Sequence, residues 1–212
     1  LYFNGQDRYG VKESDPLPEP LVNAYARTKR RAELLLEASA LPFVILRPRA
    51  LIGRGDTVIL PRLLRAYDAG RLRVIGDGKN RIDLTPVSNV VDAILLALTT
   101  ETGLNATYNI ANGEPVAVWP LVNDLLVRLG RQPLTQRVPT ALALAVAGLM
   151  ETKSRWTNYA EPVLTRYSVG TLACSFSLDI TKARAELGYR PRQTTAAAIE
   201  EFINWYHAPV TA

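Results

Sequence analysis

Asn23-Ala-Tyr-Ala-Arg-Thr-Lys-Arg-Arg-Ala-Glu-Leu-Leu-Leu-Glu-Ala-Ser-Ala-Leu-Pro-Phe-Val-Ile-Leu-Arg47 passes from a helical period to a strand period without a break, and that change decides the fold. Asn23 suits a helix N-cap, because its short side chain can accept a free backbone N–H of the first turn. Ala32, Leu35, Leu36 and Ser39 then recur at i, i+3, i+4 and i+7, the spacing of one helical face, so a helix is predicted to about Ser39. Pro42-Phe-Val-Ile-Leu-Arg47 is a short unbroken apolar run with β-branched residues, the pattern of a strand covered on both faces. A helix followed directly by such a strand predicts a parallel α/β sheet.

Upstream, Leu1 to Pro20 begins apolar and aromatic, then turns polar with Pro16, Pro18 and Pro20, which predicts a strand remnant followed by a loop. Downstream the alternation continues. Helices are predicted at Leu60 to Ala69, Val90 to Leu98 (capped from Val87-Ser-Asn89), Val118 to Leu129 and after Pro139. Strands are predicted at Leu72 to Ile75, Arg81 to Leu84, Thr107 to Ala111 and Cys174 to Leu178, before a last helix pair that Gly188 divides. Gly53-Arg-Gly55 and Gly76-Asp-Gly-Lys79 lack the spacings of nucleotide-binding loops and are read as turns. Trp119, Trp156 and Trp205 suit packing, with Trp119 and Trp156 also candidates for a substrate pocket.

The 212 residues are 48% hydrophobic and 21% charged, ordinary globular material. The net charge of +5 comes from arginines dispersed along the chain, without the aromatic-interleaved basic patch that nucleic acid binding would need. One cysteine, Cys174, and one histidine, His207, leave no disulfide framework, no metal site of the usual His/Cys kind and little support for a His- or Cys-based triad. Val138 to Met150 is too short to span a bilayer. No stable membrane insertion, a reducing, cytoplasmic setting and a small-molecule substrate are the expectations.

Tyr25 and Lys29 are the candidate chemical pair. Four residues apart, they are neighbours on a helix, and a close ammonium favours phenolate over phenol, as a tyrosine acting as general acid and base requires. Helical steps back from Leu36 through Ala32 reach Lys29 and then Tyr25, so the pair is expected on the core-facing stripe. The alternative is a half-buried tyrosine beside a snorkelling lysine. The opening strand, glycine-rich turn and helix of a nucleotide-binding doubly wound fold are not found in these residues.

Several ordered segments carry a resemblance. Tyr25-Ala-Arg-Thr-Lys29, Leu46-Arg-Pro-Arg-Ala-Leu-Ile-Gly53, Val74-Ile-Gly-Asp-Gly-Lys-Asn80, Asp83-Leu-Thr-Pro-Val-Ser-Asn-Val-Val-Asp92, Tyr108-Asn-Ile-Ala-Asn112 and Asp179-Ile-Thr-Lys182 to Leu187-Gly-Tyr189 resemble, in order and spacing, the C-terminal part of an extended short-chain dehydrogenase/reductase. With Glu161-Pro-Val-Leu-Thr-Arg166, they look most like its 3β-hydroxysteroid and sterol dehydrogenase branch. The resemblance implies an α/β fold: a partial doubly wound, Rossmann-type parallel sheet lacking its N-terminal nucleotide-binding half, plus a small C-terminal α/β substrate-binding region. Residues 1–112 would be the Rossmann part, with substrate-binding segments inserted at about 53–86, and 113–212 the mostly helical remainder.

The same resemblance implies an NAD- or NADP-dependent oxidoreductase that interconverts a secondary alcohol and a ketone on a sterol-like or β-keto acyl substrate. Tyr25 would exchange the proton, Lys29 would tune Tyr25 and hold the cofactor ribose, and Pro48, Arg49, Ala50 and Leu51 would line the nicotinamide. The family's catalytic Ser or Thr would fall at or just before Leu1. Pro61 to Leu64 and Trp156 to Tyr167 would shape the substrate pocket, and a homodimer is expected. Nucleotide-sugar epimerases and dehydratases of the superfamily usually place Asn where Ala50 stands, so Ala50 favours an apolar substrate, while Arg49 and Arg54 keep an anionic one open. A nucleotide-sugar epimerase or dehydratase, and a non-catalytic dinucleotide-binding sensor of the same fold, are the alternatives.

Overall fold

The structure is a computed structural model and describes residues 2–100, 103–156 and 164–207. The elements run β1 (Arg8–Val11), α1 (Ala24–Glu37), β2 (Val44–Pro48), β3 (Leu51–Ile52), α2 (Ile59–Asp68), β4 (Val74–Ile75), β5 (Arg81–Ile82), β6 (Thr85–Pro86), α3 (Val87–Thr99), β7 (Ala106–Ile110), β8 (Val116–Ala117), α4 (Val118–Arg128), β9 (Arg137–Val138), α5 (Thr140–Trp156), α6 (Arg166–Ala173), β10 (Phe176–Leu178), α7 (Thr181–Glu186) and α8 (Thr195–His207). The parallel α/β class is as expected, with the strands divided among small sheets. One has the order β1-β10-β5-β8, and three parallel pairs are β2–β7, β3–β6 and β4–β9. The longest pair, β2–β7, keeps register from Val44↔Ala106 to Pro48↔Ile110. Only β5–β8 is antiparallel among the described pairs.

Two apolar cores hold these layers together, and each draws on residues before and after position 112. One gathers Leu64, Trp119, Leu125, Leu126 and Phe202 around α2, α4 and α8. The other gathers Tyr2, Phe3, Tyr108, Ile110, Phe176 and Tyr189 around β7 and β10.

Several expectations are corrected. The first segment contains a true strand, β1, which pairs in parallel with β10, and Tyr2 and Phe3 are core residues. Strand β2 is covered less than its apolar run implies: Ile45 is buried, while its neighbours are half-buried and Pro48 is exposed. It has one hydrogen-bonded neighbour, β7, among the described strands. The buried line of α1 is Ala26 and Glu33, about a quarter turn from the predicted stripe at 100° per residue. Tyr25 is accordingly 70% exposed and Leu35 65%. The cause is electrostatic: Arg47 on β2 holds Glu33 against the sheet and sets the helix's rotation.

Val87-Ser-Asn89 does not cap a helix but forms the first turn of α3. Asn89, fully buried, instead joins segments: Nδ2 donates to Asn112 Oδ1 and the Gln193 carbonyl, and Oδ1 accepts from the Arg192 and Gln193 amides. Trp119 is buried in the first core rather than at a pocket.

Candidate active site

Asn23 caps α1 as its sequence indicated, accepting the Ala26 amide at 2.8 Å. The helix presents Tyr25 and Lys29 to a cavity of about 800 Å³, lined on its other side by Pro48, Arg49, Ala50 and Leu51. All six residues singled out in the sequence therefore meet at one cavity. Lys29 Nζ lies 5.6 Å from the centroid of the Tyr25 ring, so the ammonium sits over the phenol's face. The pair occupies the open side of the helix rather than a core-facing stripe.

The 48–51 segment is fixed by its own backbone. The Arg49 amide donates to the Ile110 carbonyl at 3.2 Å, Thr85 Oγ1 donates to the Arg49 carbonyl, and the Thr85 amide donates to the Ala50 carbonyl at 3.0 Å. Ala50 is held at φ +43, a left-handed conformation that non-glycine residues rarely adopt. With these polar groups engaged, the segment offers the cavity the side chains of Pro48, Ala50 and Leu51. Beyond it, the Asp56 carboxylate accepts the amides of Val58, Ile59 and Leu60 and anchors the start of α2.

Glu33, Arg47 and Tyr2 complete the inner wall. Arg47 Nε and Nη2 reach the two Glu33 oxygens at 2.8 and 2.7 Å, a bidentate pair with side chains only 13% and 10% exposed. Arg47 also donates to the Tyr2 hydroxyl. Burial alone would push the Glu33 carboxyl up, but hydrogen bonds and charge from Arg47, helped by Arg30, leave it below the ordinary value. Burial pushes the Tyr2 phenol up against the opposing pull of Arg47. Sequence reasoning missed both Glu33 and Tyr2; the available signal for Glu33 was its place one helical turn beyond Lys29.

A second cavity of about 950 Å³ shares Phe3, Val22, Asn23, Tyr25 and Tyr167 with the first and continues toward Thr140 and Leu144 of α5. Of the segment Pro61 to Leu64, Arg62 lines this cavity while Leu64 is core. The other segment expected at the pocket, Trp156 to Tyr167, lies outside the described residues at 157–163, and with it much of the Glu161-to-Arg166 motif. Tyr167 itself lines both cavities. Cys174 is half-buried at the second, and His207 is exposed.

In frame, the chain is a parallel α/β protein of the doubly wound class. It belongs to the NAD dependent epimerase/dehydratase family, whose family model matches residues 3–111. It is 34% identical over 203 residues to a 2-alkyl-3-oxoalkanoate reductase of Shewanella oneidensis, covering 88% of this chain and 52% of that protein. It is 31% identical over 218 residues to a decarboxylating sterol-4-alpha-carboxylate 3-dehydrogenase of Schizosaccharomyces pombe, covering 97% and 63%. A UDP-glucose 4-epimerase of Thermotoga maritima, solved with UDP-glucose, shares the fold with a TM-score of 0.66 at 22% identity, over 97% of this chain and 59% of that one. The chain thus spans about half to two thirds of the length of these relatives. Among its described residues, no helix is long and apolar enough to cross a membrane.

Proposed function

We propose that the protein containing this chain is an NAD(P)-dependent oxidoreductase that interconverts a secondary alcohol and a ketone on a sterol-like or β-keto/β-hydroxy acyl substrate. The observation that carries this reading is the convergence of Tyr25, Lys29 and the 48–51 segment on one cavity. The names of the two enzyme relatives support the acyl arm. A 3-oxoalkanoate and a sterol 4-carboxylate acted on at carbon 3 both place the reacting oxygen β to a carboxylate.

The wall fits the nicotinamide and ribose of such a cofactor. Pro48, Ala50 and Leu51 give the apolar surface that a flat ring needs, and Lys29 gives the cation that ribose hydroxyls would take. The bound cofactor would supply or accept the hydride. Tyr25, exposed to the cavity, exchanges the proton with the substrate oxygen. Lys29, over the Tyr25 ring, stabilises negative charge on that phenol and holds the sugar beside it. The clamp of Glu33 on Arg47 fixes the helix bearing both groups against the strand that leads into the 48–51 segment. The adjoining cavity gives room for a long or polycyclic substrate.

In the intact polypeptide, Tyr25→Phe is expected to lower turnover by about 10²-fold or more, the scale of a general acid, while cofactor affinity stays within a few-fold. Steady-state kinetics and cofactor titration measure the two. Near-normal turnover would remove Tyr25 from the chemistry. A thermal shift with UDP-sugars, and none with sterols or β-keto acyl compounds, would replace the substrate class.

A further inference from the structure

Arg49 was expected in the cofactor wall and, with Arg54, as a residue that keeps an anionic substrate open. The guanidinium carbon lies 4.5 Å from the centroid of the Phe176 ring, so the ring supports its flat face. Among the described residues no hydrogen bond or ion pair reaches the guanidinium, and its Nε is buried without a partner. Buried donors are rarely left so. Asp83, a buried carboxylate whose charge acts on Arg49, makes no hydrogen bond or ion pair to it: Oδ2 accepts the Leu178 amide at 2.6 Å, and Oδ1 has no partner. Burial pushes Asp83 up and Arg49 down, and the attraction between the two charges opposes both shifts without overcoming them. Arg49, Tyr25 and Phe176 line the same cavity.

A guanidinium that rests on an aromatic face keeps its donor edge free, and that edge matches the two oxygens of a carboxylate. We propose that Arg49 binds the carboxylate of the substrate, so that the enzyme selects 3-hydroxy and 3-oxo acids over the corresponding neutral alcohols, ketones and esters. The inference rests on the oxidoreductase reading for the identity of the site. It adds the group that decides which substrates of that class are accepted, and it assigns to Arg49 a contact with substrate rather than with cofactor.

The test compares a 3-hydroxy acid with its methyl ester, using the intact polypeptide as wild type, Arg49→Met and Arg49→Lys. Wild type should prefer the acid, and Arg49→Met should cut the acid-to-ester ratio of kcat/KM by about 30-fold, mainly through KM for the acid. Arg49→Lys, which keeps the charge and loses the fork, should recover part of that ratio. Equal losses on acid and ester, as a purely structural arginine would give, overturn the proposal. A rise in KM for the cofactor with an unchanged substrate ratio also overturns it, because the anion held would then be a cofactor phosphate. Calorimetric binding of the 3-oxo acid needs no turnover: unchanged affinity in Arg49→Met refutes the carboxylate contact. Turnover indifferent to Tyr25→Phe would instead count against the oxidoreductase reading alone.

Discussion

Glu33 and Arg47 show how a charge inside a polar-looking helix can orient a site. Residues four apart on a helix drift by about 40° per step. Tyr25, Lys29 and Glu33 therefore turn progressively from the open side of α1 toward the sheet. The last of them is caught by Arg47, so the rotation of the helix is set by one ion pair rather than by an apolar stripe. Glu33→Gln would leave a buried guanidinium uncompensated and is expected to cost about 3–5 kcal/mol, measured by denaturant unfolding. Because the folded-state carboxyl is held below the ordinary value of 4.5, its contribution is fully present above that pH and is lost as pH falls through the folded value. The Gln variant should lack that part of the acid limb. The Tyr25/Lys29 pair was legible because a spacing of four is a local property. Glu33 was not, since a glutamate among arginines has the same appearance whether solvated or buried until a distant strand is placed beside it.

Among the elements, β2 was legible from Pro42 to Arg47 because an apolar run after a helix has few other uses. The register with β7, by contrast, is set by tertiary contacts 62 positions apart, such as the Phe43 amide on Asn105 Oδ1. Asn89 marks where local reasoning fails. An asparagine near a helix start suggests a cap, but Pro86 precedes the first turn and the side chain faces inward, where it satisfies the chain at Arg192 and Gln193. Asn89→Ala would strand several buried polar groups, an expected loss of about 3 kcal/mol. In a chain of this size that lowers the thermal midpoint by roughly 6–12 °C, read by calorimetry. The turn after β2 gives the opposite case. Ala50 stands at positive φ, so Ala50→Asn, a residue that tolerates that region, should leave the midpoint unchanged or higher.

For the molecule as a whole, the parallel α/β class followed from the alternation of periods, whereas β1 lies past the apolar opening that suggested a strand, where four residues, two of them exposed, carry little pattern. What makes β1 a strand is β10. Gly10 donates its amide to Ser177 Oγ across 167 positions, and Phe176 joins the core that Tyr2 and Phe3 begin. Phe176→Ala should cost about 3–5 kcal/mol and also remove the surface under Arg49, so stability and acid selectivity should fall together; unfolding and kinetics on one preparation check both. The pairing has a consequence in time. At about 5–20 residues per second, a ribosome delivers β10 on the order of ten to thirty seconds after β1. Throughout that interval the edge of β1 that β10 will take lacks this partner, the kind of surface that nascent-chain chaperones exist to shield. The Tyr167, Phe176 and Leu178 side of the cavity is thus the last of its lining to be synthesised, well after the Tyr/Lys helix and the 48–51 segment that face it.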